Sequence, residues 1–141
     1  LCQTLAKKLA ADGEGATKLL TIKAEHVRSL EDARKITEAI AKSPLCKTAA
    51  FGRDANWGRL LTAAGYSGGV FDPETVDIFI GDVMVCKDGG GLDFDEAAAL
   101  AVLSKDEVIY RLDFKDGEAS DTMWTCDLTY EYVKINGEYR T

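Results

Sequence analysis

Val76-Asp-Ile-Phe-Ile-Gly-Asp-Val-Met-Val85 is the stretch on which the fold turns. Val76, Ile78, Ile80, Val83 and Val85 are all β-branched, and on either side of Gly81-Asp82 they recur at every second position, the period of a strand with a buried face. We expect a strand here, bent at Gly81-Asp82, because a glycine inside a strand pattern marks a bend or a close approach. Gly68, Gly69 and Asp72-Pro73 make a turn before it, and Asp88-Gly-Gly-Gly91 makes a flexible one after it. The second run lacks the spacing of a phosphate-binding P-loop, which leaves a plain connection.

Outward toward the carboxyl end, residues 94–103 form an Ala-rich helix that starts near Asp93 or Asp95. Val108, Tyr110, Leu112 and Phe114 then alternate with Ile109, Arg111 and Asp113, and Asp116-Gly117 invites an antiparallel return over residues 118–126. A short helix is expected over residues 128–133. Toward the amino end, residues 3–11 read as the end of a helix stopped by Asp12-Gly13-Glu14-Gly15, and residues 17–25 as a strand burying Leu20, Ile22 and Ala24. Ser29 caps a helix over residues 30–42, whose stripe of Leu30, Ala33, Ile36 and Ile40 lies on the sheet. Ser43-Pro44 resets the chain, residues 48–51 read as a short extended piece, and Asn56 caps a helix over residues 57–64 that ends at Gly65. Helices alternate with strands and a hairpin closes the chain, so the class is α/β (α+β), a mixed sheet covered by helices.

At 141 residues and 46% hydrophobic content the chain is one domain's worth of sequence with a real core. Lys, Asp or Gly breaks every apolar run well short of the ~18 residues a membrane helix needs. The first eleven residues carry Lys7 and Lys8 and lack the apolar block of a secretory leader, while Leu1 in place of Met reads as a start inside a longer gene product. A net charge of -7 with singly scattered basic residues excludes nucleic acid as a partner. Cys2, Cys46, Cys86 and Cys126 stand about forty residues apart with no CxxC pair. We read them as free, buried or half-buried thiols in a reducing compartment, with no metal site.

His26 is the sole histidine and follows a strand end, where an exposed turn is the ordinary reading. No Ser or Cys is spaced to make it a catalytic base. Glu14, between two glycines, reads from pattern alone as an exposed turn acid ahead of a carboxylate presented to a ligand's ammonium group. Asn56-Trp-Gly-Arg59 reads as a cap with an anchoring aromatic or as a recognition loop. Tyr130, Tyr132 and Tyr139 are placed to pack the polar tail onto the core.

One set of strings changes the reading. Asp12-Gly-Glu-Gly-Ala-Thr-Lys18 resembles the DGEGATK signature of the ornithine acetyltransferase (ArgJ) family. It is followed in order by Ser43-Pro-Leu-Cys-Lys-Thr-Ala49, Phe51-Gly, Asn56-Trp-Gly-Arg59, Gly65-Tyr-Ser-Gly68, Phe71-Asp-Pro73, Val76-Asp-Ile78 and Phe94-Asp-Glu96. Trp124-Thr-Cys-Asp-Leu-Thr-Tyr130, Tyr132-Val133, Ile135-Asn136 and Tyr139-Arg-Thr141 complete a series that spans essentially the whole chain.

The resemblance implies the C-terminal domain of the DmpA/ArgJ-like fold. Residues 1–15 would be the end of the preceding domain's helix with a substrate-binding turn, and residues 16–141 the C-terminal domain of the family's β chain. It further implies a cytoplasmic enzyme of arginine biosynthesis that transfers acetyl from N-acetylornithine to glutamate, some members also using acetyl-CoA, with no cofactor. Family precursors cleave themselves before a threonine that then carries the acetyl group, and the two chains assemble into heterotetramers. That threonine lies well upstream of DGEGATK, so no catalytic residue is expected in this chain. Its expected partners are the α chain and the rest of the β chain. The ligand contacts that carry over are Glu14, Asn136 and Thr141, a carboxylate for the substrate's ammonium and neutral groups for its polar ends. The rival readings are a non-catalytic binding or assembly module of the same fold and a self-processing hydrolase.

Overall fold

Six strands, β1 (Leu19–Val27), β2 (Asp77–Ile80), β3 (Val83–Lys87), β4 (Gly90–Gly91), β5 (Glu107–Asp113) and β6 (Ala119–Cys126), form one mixed sheet in the order β4-β3-β2-β5-β1-β6. The computed structural model describes residues 2–13 and 15–138. At the centre β1 and β5 run parallel, and the other neighbours pair antiparallel. The helices are α1 (Cys2–Ala11), α2 (Leu30–Ala41), α3 (Pro44–Phe51), α4 (Trp57–Tyr66), α5 (Glu96–Leu103) and α6 (Tyr130–Glu138).

One face of the sheet carries the core. Leu20, Ile22 and Ala24 from β1, Val108, Tyr110 and Leu112 from β5, and Ile78 and Ile80 from β2 are buried against α2 and α4. The expected stripe on α2 is realised in Ala33, Ile36 and Ile40, whereas Leu30 at its start is exposed. Each fully buried Ile or Leu contributes roughly 1.5–3 kcal/mol through apolar burial. Ser29 caps α2 by accepting the Asp32 N–H at 3.1 Å, and Asp32 accepts the N–H of Val70 at 3.1 Å, which ties the loop after α4 to the start of α2. The Val70 bond foremost, and then the Ser29 hydroxyl donating to Asp32 Oδ2 at 2.8 Å, hold the Asp32 carboxyl below the usual carboxylate range. The opposite face is more polar: Lys23, Thr122 and Trp124 lie under α1, the Lys7 ammonium sits 5.6 Å from the Trp124 ring, and Ile109 is 42% exposed.

Several expectations need correction. Residues 76–85 are a hairpin rather than one bent strand: Gly81 adopts φ 59 and Ile80 pairs with Val83, so Gly81-Asp82 is a full reversal. Residues 107–126 are not a hairpin, because β1 lies between β5 and β6. The connection crosses the end of β1, where Phe114 N–H bonds the Glu25 carbonyl at 3.0 Å and Asp116 N–H bonds that of His26 at 2.8 Å. Alternation is the same whether two strands touch or have a third between them, so the pattern alone could not separate these cases. Residues 48–51 are helical, since Ser43 accepts the Cys46 N–H at 3.2 Å and Pro44 occupies the first turn of α3, where its missing N–H costs nothing. Helix α4 runs past Gly65 to Tyr66, and the last helix spans Tyr130–Glu138 instead of residues 128–133. All four cysteines are free, yet Cys2 is exposed; Cys46 is buried, and burial pushes its thiol pKa up. His26 lies inside β1, at a bulge where it takes φ 53, and its Nδ1 is 2.9 Å from Asp113 Oδ1.

No helix among the described residues is long and apolar enough to cross a membrane.

Candidate functional site

Of the three predicted ligand contacts, Glu14 and Thr141 lie outside the described residues, as does Tyr139. Asn136 is exposed on α6, and its Nδ2 donates to the Tyr132 carbonyl at 2.9 Å. The two glycines that flank Glu14 in sequence are closely packed. Gly13 packs so closely on β6 that a Cβ there would lie 2.5 Å from the Cys126 sulfur. Gly15 has φ 71, and a Cβ on it would lie 2.6 Å from the backbone nitrogen of Tyr132. Both glycines are therefore demanded by close approach, the second also by its backbone angle. Gly13 thus packs against the end of β6, and Gly15 against the first turn of α6.

Two side chains lock these contacts. Asp127, 2% exposed at the end of β6, accepts the N–H of Thr17 at 2.8 Å and of Lys18 at 2.9 Å on Oδ1, and the Thr17 hydroxyl on Oδ2. Two residues on, the Thr129 hydroxyl donates to the Gly15 carbonyl at 2.6 Å and accepts the Tyr132 N–H at 3.1 Å, so it caps α6 and holds the turn at once. The Leu128 N–H reaches the Lys47 carbonyl at 3.3 Å, which adds α3 to the same junction. Polar bonds hold α6 in place, for it has no buried residue, and Tyr130 and Val133 are 82% and 61% exposed.

Between α3 and α6 opens a cavity of about 450 Å³. Phe51, Leu128, Tyr130 and Val133 form its apolar wall, with Phe51 and Tyr130 in edge-to-face contact at 5.3 Å. Thr48, Thr129 and Arg53 supply the polar groups. Its size and its mixture of apolar wall with few polar groups suit a small organic ligand. Val133 and Asn136, three residues apart on α6, share a helix face, so the wall leads toward Asn136. Among the described residues no group of three or more His, Cys, Asp or Glu could hold a metal.

Asp127, Thr129 and Arg53 were not singled out from the sequence. A carboxylate two positions before a helix-capping threonine was the available signal for the first two. Arg53 carries a backbone signal only coordinates can reveal, a φ of 55, fixed by its own N–H to the Ala50 carbonyl at 3.2 Å and the Asp54 N–H to that of Ala49 at 2.9 Å. A left-handed backbone at a residue other than glycine costs roughly 1–2 kcal/mol.

Comparisons with known proteins show what the chain is similar to. The model of the ArgJ family matches residues 1–141. The arginine biosynthesis bifunctional protein ArgJ of Symbiobacterium thermophilum is 53% identical over 137 residues, which cover 97% of this chain and 34% of that protein. The protein of the same name from Caldanaerobacter subterraneus is 50% identical over 143 residues, covering 99% of this chain and 36% of its own length. The crystal structure of the ArgJ protein of Bacillus halodurans superposes with a TM-score of 0.94 at 42% identity, covering 98% of this chain and 65% of that one. The chain thus spans about a third of the length of the curated relatives it matches.

Proposed function

The chain belongs to the ArgJ family, and from that premise we propose that it is the C-terminal part of an ornithine acetyltransferase, moving acetyl from N-acetylornithine to glutamate. Residues 1–15 then end the preceding domain's helix and supply the substrate-binding turn, and residues 16–141 form the C-terminal domain of the β chain. The acetyl group is carried on a threonine of the longer protein, and acetyl-CoA serves as a second donor where the enzyme is bifunctional, as its relatives' names describe them. The α chain and the remainder of the β chain complete the site in the cytoplasm.

The observation that carries this reading is the seating of the DGEGATK turn on α6, through Gly15 packed on the Tyr132 nitrogen and Thr129 bonded to the Gly15 carbonyl. That seat brings the neighbours of Glu14 to the helix that bears Asn136 and leads to Thr141. Glu14 binds an ammonium group of the amino-acid substrate, and Asn136 and Thr141 position its polar ends.

The test uses the complete protein. Acetyl transfer from N-acetylornithine to glutamate is assayed beside plain release of acetate, in the wild type and in Glu14→Gln. Transfer in the wild type with kcat/KM reduced about ten-fold or more in the variant is the expected result. Hydrolysis without transfer favours the self-processing hydrolase, ligand binding without either reaction favours the non-catalytic module, and unchanged kinetics in the variant remove the role of Glu14.

A further inference from the structure

We infer that Thr129 is a positioning residue, whose hydroxyl sets the Gly15 carbonyl, next in the chain to Glu14, against the start of α6. The inference rests on the acetyltransferase reading and adds to it a residue that is not itself a ligand contact. Buried polar side chains are few among the described residues, and most serve a single element or the sheet. Ser43 caps α3, Thr37 bonds the Arg34 carbonyl and Asp121, and Asp77 receives Lys115 and the Asp88 N–H. Asp127 holds Thr17 and Lys18 to the end of β6. Thr129 is the one that joins the glycine turn to α6, donating to the Gly15 carbonyl at 2.6 Å and accepting the Tyr132 N–H at 3.1 Å. It thus links the two elements on which the ligand contacts were placed.

Its chemistry fits holding rather than binding. A threonine hydroxyl has one proton to donate, and the Gly15 carbonyl takes it. Thr129 is also 3% exposed, so although it borders the cavity between α3 and α6, its polar end is committed within the junction. What it does for a ligand it does through the groups it holds. Packing alone does not set their separation, because α6 has no buried residue. The close approach of Gly15 to the Tyr132 nitrogen limits how near the two elements come without drawing them together. The hydroxyl supplies that attraction from both sides. A ligand held by both elements senses any shift between them, even where the fold stays intact. N-acetylornithine and glutamate use the site in turn when a threonine carries the acetyl group between them, so both should respond to the loss of this bridge.

The experiment measures steady-state acetyl transfer and thermal unfolding of the complete enzyme in the wild type, Thr129→Val, Thr129→Ser and Thr37→Val. Valine keeps the branched shape and removes the hydroxyl, whereas serine keeps the hydroxyl. Thr37→Val removes a comparably buried hydroxyl from α2, where it bonds Asp121 toward the start of β6. Thr129→Val should raise KM about ten-fold for N-acetylornithine and for glutamate while kcat stays within about two-fold, the mark of lost binding common to ground and transition states. Thr129→Ser should stay near the wild type, and Thr37→Val should lower the unfolding temperature without moving either KM. Added to Glu14→Gln, Thr129→Val should cost less than it does alone, because a residue that acts through Glu14 then has less to act on. An unchanged KM in Thr129→Val overturns the inference, and so does a serine variant as impaired as the valine one. A KM raised as much by Thr37→Val, or a double variant whose loss is the full product of the single ones, also overturns it. A wild type that transfers no acetyl group defeats the acetyltransferase reading and the inference with it; a wild type that transfers, with Thr129→Val unchanged, defeats the inference alone.

Discussion

The sheet with α2 and α4, and the junction where α6 meets the glycine turn, are stabilised by different physics. In the first, Ile36, Ile40, Ile22 and Ile78 are at most 1% exposed, and their burial is non-directional and widely shared. In the second, α6 has no fully buried residue, and the junction depends on a few directional bonds made by Asp127 and Thr129 and on two glycines with no room for a side chain. Such a junction orders backbone accurately while leaving side chains such as Tyr130 and Val133 free to meet something else. A core gains from being sealed, whereas a site has to remain open.

The sharpest way to break this contrast is to damage each region separately. Ile36→Ala should destabilise the complete protein by about 2–5 kcal/mol, because a fully buried side chain leaves a cavity, while the enzyme that remains folded keeps its KM. Thermal unfolding together with steady-state kinetics reads both quantities, and a raised KM at modest destabilisation would show that the two regions are coupled. Asp127→Ala should have the reverse profile. It leaves the Thr17 and Lys18 N–H groups without their acceptor, at about 0.5–1.5 kcal/mol for each bond because both residues are partly open to water, and that loss is local. Hydrogen exchange should show residues 15–18 and α6 opening while the amides of β1 and β5 stay protected. Uniform loss of protection would mean that the junction is part of the core.

How much was legible in advance follows the same divide. The caps at Ser29, Asn56 and Asp95 could be read because each accepts an N–H three residues ahead, within a single stretch of sequence. The buried stripe of Leu20, Ile22 and Ala24 was visible as a period of two. The place of β1 between β5 and β6 was not, since alternation records which face is buried and nothing about which strand is the neighbour. The junction was harder still: Asp127 and Thr17 are 110 residues apart, and Thr129 and Gly15 are 114 apart. Motif resemblance marked both ends of that contact without supplying the bonds between them. Arg53 falls between two recognisable strings, and its distinguishing feature is a dihedral angle.

The smallest expected effect concerns the cap of α2, where the core side of the comparison relies on a charge. Asp32 accepts hydrogen bonds from Val70 N–H and from the Ser29 hydroxyl, with Lys35 and Arg28 adding attraction, so its carboxyl is held below the ordinary value for an aspartate. A carboxyl whose folded pKa is depressed stabilises the fold in full above its unfolded value, and that contribution disappears as the pH falls through the folded value. The wild type should therefore exceed Asp32→Asn in stability at neutral pH, and the gap should narrow below about pH 4 and close at more acid pH. Because the group is exposed, solvent screening keeps the gap small, and added salt should shrink the part owed to Lys35 and Arg28 while leaving the Val70 bond. Denaturant unfolding of both proteins across the acid range measures the gap. A gap that stays constant with pH would mean that Asp32 acts through shape alone, and the pin between α2 and the loop after α4 would then owe nothing to its charge.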